Sequence, residues 1–208
     1  MTKIYDVTMP ITLDMPVYKN KPEKRPEFIV TSDHPDKGVR ESRIAIDVHT
    51  GTHIDAPLHM VANGATIESI PVSDLMGPCK VVDLTHVENA ISQADLEPLA
   101  LQAGDFVLFK TKNSGDSSFN PEFVFLGEEG ARYLAGLKVK GVGTDALGVE
   151  RSQPTHPTHK ALFGAGVTVI EGLRLADVPP GTYQMIALPL PLVGLDASPA
   201  RVVLMAQE

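Results

Sequence analysis

The chain has 208 residues, 43% of them hydrophobic and 21% charged, and carries a formal net charge of −8. That composition describes a soluble globular protein of one domain, residues 1–208, long enough to bury a core. It excludes a basic face that tracks phosphates, and so a nucleic-acid partner; no run approaches the roughly 18 apolar residues of a membrane span.

Taken in chain order, "MTKIYDVTMP" reaches Asp6 before any apolar run builds up, so no signal peptide is expected. Strands are predicted over 3–9 and 42–50, where apolar and polar residues alternate. The segment between them, "KNKPEKRP" at 19–26, reads as a solvated loop. Further strands are predicted at 79–84, 105–111, 138–143, 167–172, 183–190 and 200–207, each a short β-branched or apolar run between turn signals. Cys79 is the single cysteine and reads as a small buried strand residue; with no disulfide possible inside the chain, the cytoplasm is the expected compartment. A helix is predicted to open at Ser92, with Asp95 completing a variant capping box. Two more are predicted over 126–137, where acidic residues come first, and over 155–166. Strands alternating with helices in the middle of the chain predict a mixed α/β fold.

The chemistry concentrates in "HTGTHIDAPLH", residues 49–59, which holds three of the seven histidines. A helical reading fails on Thr50, Gly51, Thr52 and Pro57. In an extended chain His49, His53, Asp55 and His59 fall on one side, while Ile54, Ala56 and Leu58 fall on the other. Ile44, Ile46 and Val48 are expected to continue the core-facing set. A straight strand would hold the alpha carbons of His49 and His53 roughly 13 Å apart, too far for one ion, so the chain must bend. Gly51 is the residue able to bend it. Imidazole with carboxylate and no thiolate suits Zn²⁺, Mn²⁺ or Fe²⁺.

Of the remaining histidines, His34 and His86 sit in polar turn-like contexts and are expected at the surface. "THPTHKALFGAGVTVIEG" brings His156, His159 and, at the end of a strand-like run, Glu171. A carboxylate there is unusual in a core unless it pairs or ligates. The segment reads as the second half of a metal site, with either histidine as its ligand.

"HTGTHIDAPLHM" resembles the His-x-Gly-Thr-His-x-Asp-x-Pro-x-His signature of the cyclase-like metal hydrolases, a family that includes bacterial kynurenine formamidase and isatin hydrolase. Supporting resemblances run along most of the chain: "YDVTMPITLDMPVY", the Gly-x-Asp motif in "GVGTDALGVE", "HKALFGAGVTVIEGL" and "LPLPLVGLDASPARVVLM". The resemblance implies an α/β single domain of the swivelling β/β/α type with a mixed sheet, assembled as a homodimer or higher homo-oligomer. It implies that His49, His53, Asp55, His159 and Glu171 bind one or two divalent ions, Zn²⁺ or Mn²⁺, with His159 favoured over His156 by its spacing to Glu171. It gives His59 the role of proton donor and acceptor.

The activity so implied is hydrolysis of a small-molecule C–N amide bond by metal-activated water, with an arylformamide of the N-formylkynurenine type as substrate. Hydrolysis of a cyclic amide, imide or lactone is the alternative within the family. A non-catalytic protein with a structural metal is the alternative outside it. The chain has no tryptophan to hold an aryl ring; Tyr18 and Phe28 could do so or simply pack, and the polar loop 112–123 could line a pocket or cover a dimer edge.

Overall fold

The computed structural model describes residues 2–206. Its strands, in chain order, are β1 (Ile4–Asp6), β2 (Glu27–Ser32), β3 (Glu41–Ala45), β4 (His53–Asp55), β5 (Met76–Asp83), β6 (Ala90–Ile91), β7 (Phe106–Lys110), β8 (Phe125–Leu126), β9 (Gly141–Thr144), β10 (Thr168–Glu171), β11 (Gly181–Pro189) and β12 (Ala197–Ala206). The α-helices are α1 (His34–Lys37), α2 (Gln93–Leu96), α3 (Glu128–Leu137) and α4 (Pro157–Gly164). The predicted mixed α/β class is the observed one. Among the described residues, no helix is long and apolar enough to cross a membrane.

Eight strands form one mixed sheet in the order β1-β12-β11-β5-β7-β9-β10-β4. The strands β5, β7, β9 and β10 run parallel, as strand–helix crossovers require. The sheet then closes on itself, because β4 pairs with β10 on one side and with Ala197–Pro199 of β12 on the other. The result is barrel-like, with apolar layers on both faces of the sheet. Along β7, Phe106 and Leu108 join Val81, Ile170 and Val202 in one cluster, while Val107 and Phe109 join Ala131, Leu134 and Leu162 in the other. Burial on both faces explains why this strand is an unbroken apolar run rather than an alternating one. Local signals agree with the packing: Ser92 and Asp95 form both arms of the capping box that opens α2, and Glu128 and Glu129 occupy the first turn of α3.

One sequence expectation fails. The strand predicted over 42–50 ends at Ala45, because β3 pairs with β2 in a two-stranded ribbon apart from the main sheet. A ribbon with one neighbour has no covered face, so Ile44 is 56% exposed, and Ile46 and Val48 are only half-buried. The inward phase begins instead at Ile54 and Ala56, both in the core.

Candidate metal centre

On β4, alternation sends His53 and Asp55 to one face and Ile54 into the core. Antiparallel pairing with β10 sets Glu171 directly opposite His53. Helix α4 immediately precedes β10 and presents buried His159 to the same place. Ahead of β4 the backbone turns at Gly51, whose φ of +64° lies in the left-handed region. The bend brings the rings of His49 and His53 to a centroid separation of 5.0 Å. His59 ends the short turn Pro57–His59, its ring 4.1 Å from that of His49.

The five groups picked out from sequence as ligands converge. His49 Nδ1 lies 2.9 Å from Asp55 Oδ1, and His53 Nε2 lies 3.3 Å from both Asp55 Oδ1 and Glu171 Oε2. His159 Nε2 is 3.5 Å from Asp55 Oδ2 and 3.4 Å from Glu171 Oε1. His156, the rival of His159, instead points Nδ1 at Glu150 Oε1, 2.6 Å away, and its side chain is 42% exposed. His34 and His86 are exposed, as expected.

These donors lack ordinary partners. His53 Nε2, both oxygens of Asp55 and both ring nitrogens of His159 are buried without an aligned hydrogen bond. Buried polar atoms are nearly always paired. Imidazole nitrogens and carboxylate oxygens facing one another across such distances suit a divalent cation. Without a cation the cluster holds protons instead. Burial acts to lower the pKa of His53, but Asp55 and Glu171 outweigh it and push the imidazole up to about 10. His159 is likewise raised: Asp55, Glu150 and Glu171 overcome its burial. Burial and the neighbouring Asp55 work to raise the Glu171 carboxyl, yet the facing imidazoles of His159 and His53 bring it down to about 2. His59 goes the other way: burial lowers its pKa.

Two further carboxylates stand behind the histidines and escaped the sequence reading. Asp196 Oδ2 is 2.9 Å from His49 Nε2 and 3.4 Å from His59 Nδ1, so it serves two of the three histidines of the motif. Glu150 is buried, 3.0 Å from His159 Nδ1, and accepts from the Thr158 amide at 2.9 Å. No local pattern marks either residue. Asp196 reaches the site only because β12 closes on β4, where its carbonyl accepts from the Ala56 amide at 2.9 Å. Elsewhere, Asp145 of the Gly-x-Asp motif accepts from Thr111 and Ser114 and pins the loop after β7.

The histidines open onto a cavity of about 210 Å³ lined also by Tyr18, Met60, Leu147 and Lys24. Tyr18 Oη is 2.6 Å from Ser152 Oγ, and Phe119 of loop 112–123 packs edge-on against the Tyr18 ring at 5.1 Å. Phe28 does not line the cavity; it stands on the β2–β3 ribbon, 46% exposed. The loop 19–26, expected to be merely solvated, supplies Lys24 to the cavity wall.

Residues 5–151 match the family described as "Putative cyclase". A kynurenine formamidase of Salinibacter ruber is 33% identical over 204 residues, covering 97% of this chain and 96% of that protein. The structure of a predicted metal-dependent hydrolase from Bacillus stearothermophilus is 60% identical, covers 100% of both chains and superposes with a TM-score of 0.92. Isatin hydrolase A of Labrenzia aggregata, bound to benzyl benzoate, is 26% identical, covers 100% of this chain and 94% of its own, and superposes with a TM-score of 0.86.

Proposed function

The chain belongs to the cyclase family, and from that premise we propose that it is a metal-dependent hydrolase of a C–N amide bond, with an arylformamide of the N-formylkynurenine type as substrate. The observation that carries the reading is the set of buried, partnerless nitrogens and oxygens on His53, Asp55 and His159, faced by Glu171. The full-length likeness to a kynurenine formamidase supports the formamide. The likeness to isatin hydrolase A keeps a cyclic amide as the second reading.

In this proposal His49, His53, Asp55, His159 and Glu171 hold the cation, with Zn²⁺ as first choice and Mn²⁺ as second. A divalent cation held there would make water nucleophilic near neutral pH and offset negative charge on a carbonyl oxygen. His53 is aimed by a bond from its Nδ1 to the Gly51 carbonyl at 2.9 Å, which leaves Nε2 for the cation. His49 is held by Asp196 through Nε2, which leaves Nδ1. His59, kept neutral by burial, is ready to accept a proton from water and return it to the leaving nitrogen. Water adds to the formyl carbon, the C–N bond breaks with its electron pair going to nitrogen, and formate and an arylamine leave. The assembly we propose is a homodimer or higher homo-oligomer, read directly by light scattering.

The test is metal content with kinetics on two variants and a substrate panel of N-formylkynurenine, isatin and simple lactones. Asp55→Ala is expected to lose metal and activity together. His59→Ala is expected to keep metal and lose about 10²–10⁴-fold in turnover. Equal metal loss in both variants refutes the division of roles, and turnover of isatin alone moves the assignment to the cyclic amide.

A further inference from the structure

The cavity that exposes His59, His159 and Glu171 also exposes an ion pair for which the proposed chemistry has no use. Lys24 Nζ and Asp47 Oδ2 are 2.6 Å apart, with side chains 30% and 29% exposed, and both residues line that cavity. Among the described residues, Lys24 is the only lysine or arginine to do so. The two stand at the feet of the β2–β3 ribbon, Lys24 ahead of β2 and Asp47 beyond β3. Asp47 Oδ1 accepts from the His49 amide at 3.3 Å, which fixes the carboxylate beside the histidine turn. Lys24 Nζ has no acceptor other than Asp47 among the described residues, so its remaining hydrogens are available to a ligand.

An ammonium and a carboxylate side by side, both half-buried, complement a molecule that carries the same two charges on adjacent groups. Of the other polar lining residues, Glu150 is already engaged by His156, His159 and the Thr158 amide, and Tyr18 Oη bonds Ser152 Oγ; Val17, Met60 and Leu147 are apolar. We propose that Lys24 and Asp47 form a subsite for a zwitterionic α-amino-acid group on the substrate, its carboxylate on Lys24 Nζ and its ammonium on Asp47 Oδ2. The subsite rests on the formamide reading and sharpens it: the substrate is an arylformamide that bears an amino-acid head, not a head-less ring such as isatin. The pair also clips the feet of the ribbon together, but a clip alone would not distinguish one substrate from another.

The experiment compares N-formyl-L-kynurenine with ortho-formamidoacetophenone, which presents the same formamide without the head. The wild-type metal-loaded enzyme is expected to prefer the first in kcat/KM. In Lys24→Met and in Asp47→Asn the ratio of the two kcat/KM values is expected to fall about 10- to 100-fold, through KM rather than kcat, as befits the loss of a charge-assisted hydrogen bond. A ratio that stays put while both substrates decline together overturns the subsite and leaves only the clip. Calorimetric binding of L-kynurenine and ortho-aminoacetophenone reads the same contacts without turnover. Kynurenine binding that weakens selectively in both variants supports the subsite even if no formamide is cleaved, in which case the formamide reading alone fails. Equal binding by wild type and variants overturns the subsite whatever the reaction proves to be.

Discussion

Replacing Gly172 with alanine disturbs the candidate centre without removing a single donor atom. Gly172 follows Glu171 and has φ +71°; an added Cβ would lie 2.8 Å from the carbonyl carbon of Gly51 and 3.2 Å from the Thr52 amide. Both contacts are backbone, so neither neighbour can rotate away. The same approach lets Thr52 Oγ1 donate to the Gly172 carbonyl at 2.6 Å while accepting from the Met9 amide at 2.8 Å. A left-handed alanine costs about 1–2 kcal/mol, and overpacking adds about 1–3 kcal/mol. The expected loss of about 2–5 kcal/mol corresponds to a fall of about 4–20 °C in Tm for a domain of this size. Gly38→Ala is the control: its φ is also +71°, but nothing lies within 4 Å of the added carbon. It is expected to pay only the conformational part, about 1–2 kcal/mol. Thermal unfolding of both chelator-treated variants, with chelator-competition titration of the metal, separates the terms. Gly172→Ala must melt well below Gly38→Ala and bind metal more weakly, since the turn bearing His49 is pushed off the end of β10. Two variants melting within about 2 °C of each other, with equal metal affinity, would refute the reasoning.

Asp196→Asn removes the charged acceptor shared by His49 and His59; metal affinity or turnover is expected to drop about 10–100-fold, and an unchanged chelator-competition curve together with unchanged kcat would exclude the role. Metal binding is expected to release protons: His53, raised to about 10 in the metal-free chain, keeps its proton at neutral pH and must surrender it to ligate, whereas Glu171 at about 2 is already ionised. Apparent affinity should therefore climb about tenfold per pH unit for each proton displaced and flatten once pH passes the His53 value; calorimetry in buffers of different ionisation enthalpy counts the protons, and a buffer-independent heat contradicts the expectation. Cys79, 1% exposed and with its thiol pushed up to about 12 by burial, should resist thiol reagents in the folded protein and react at once in denaturant.

The first half of the centre was readable because its physics is local. The period of two across His53, Ile54 and Asp55 is set by strand pleating, and the need for a bend at Gly51 follows from residue rise alone. The hairpin ahead of it was misread because Ile44 alternates like a core strand, and nothing local shows that β3 pairs only with β2 in a separate ribbon and not with the main sheet. Asp196 and Glu150 were invisible for a different reason. Each stands in a loop whose place depends on pairings between distant strands, such as Ala197 with Asp55, that no window of sequence contains.

That pairing also sets when the centre can exist. β4 is three residues long, supplies His53 and Asp55, and is at the same time the seam held by β10 and by the start of β12. As the chain leaves the ribosome the histidine motif emerges early, but both flanks of its strand come late. Until they dock, the proposed ligands sit on an unpaired ribbon, and loop-closure entropy makes such distant contacts slow to form. On the proposed ligand set, capture of the cation is therefore expected to be a late event in biogenesis, a signal that the last strand has found its place.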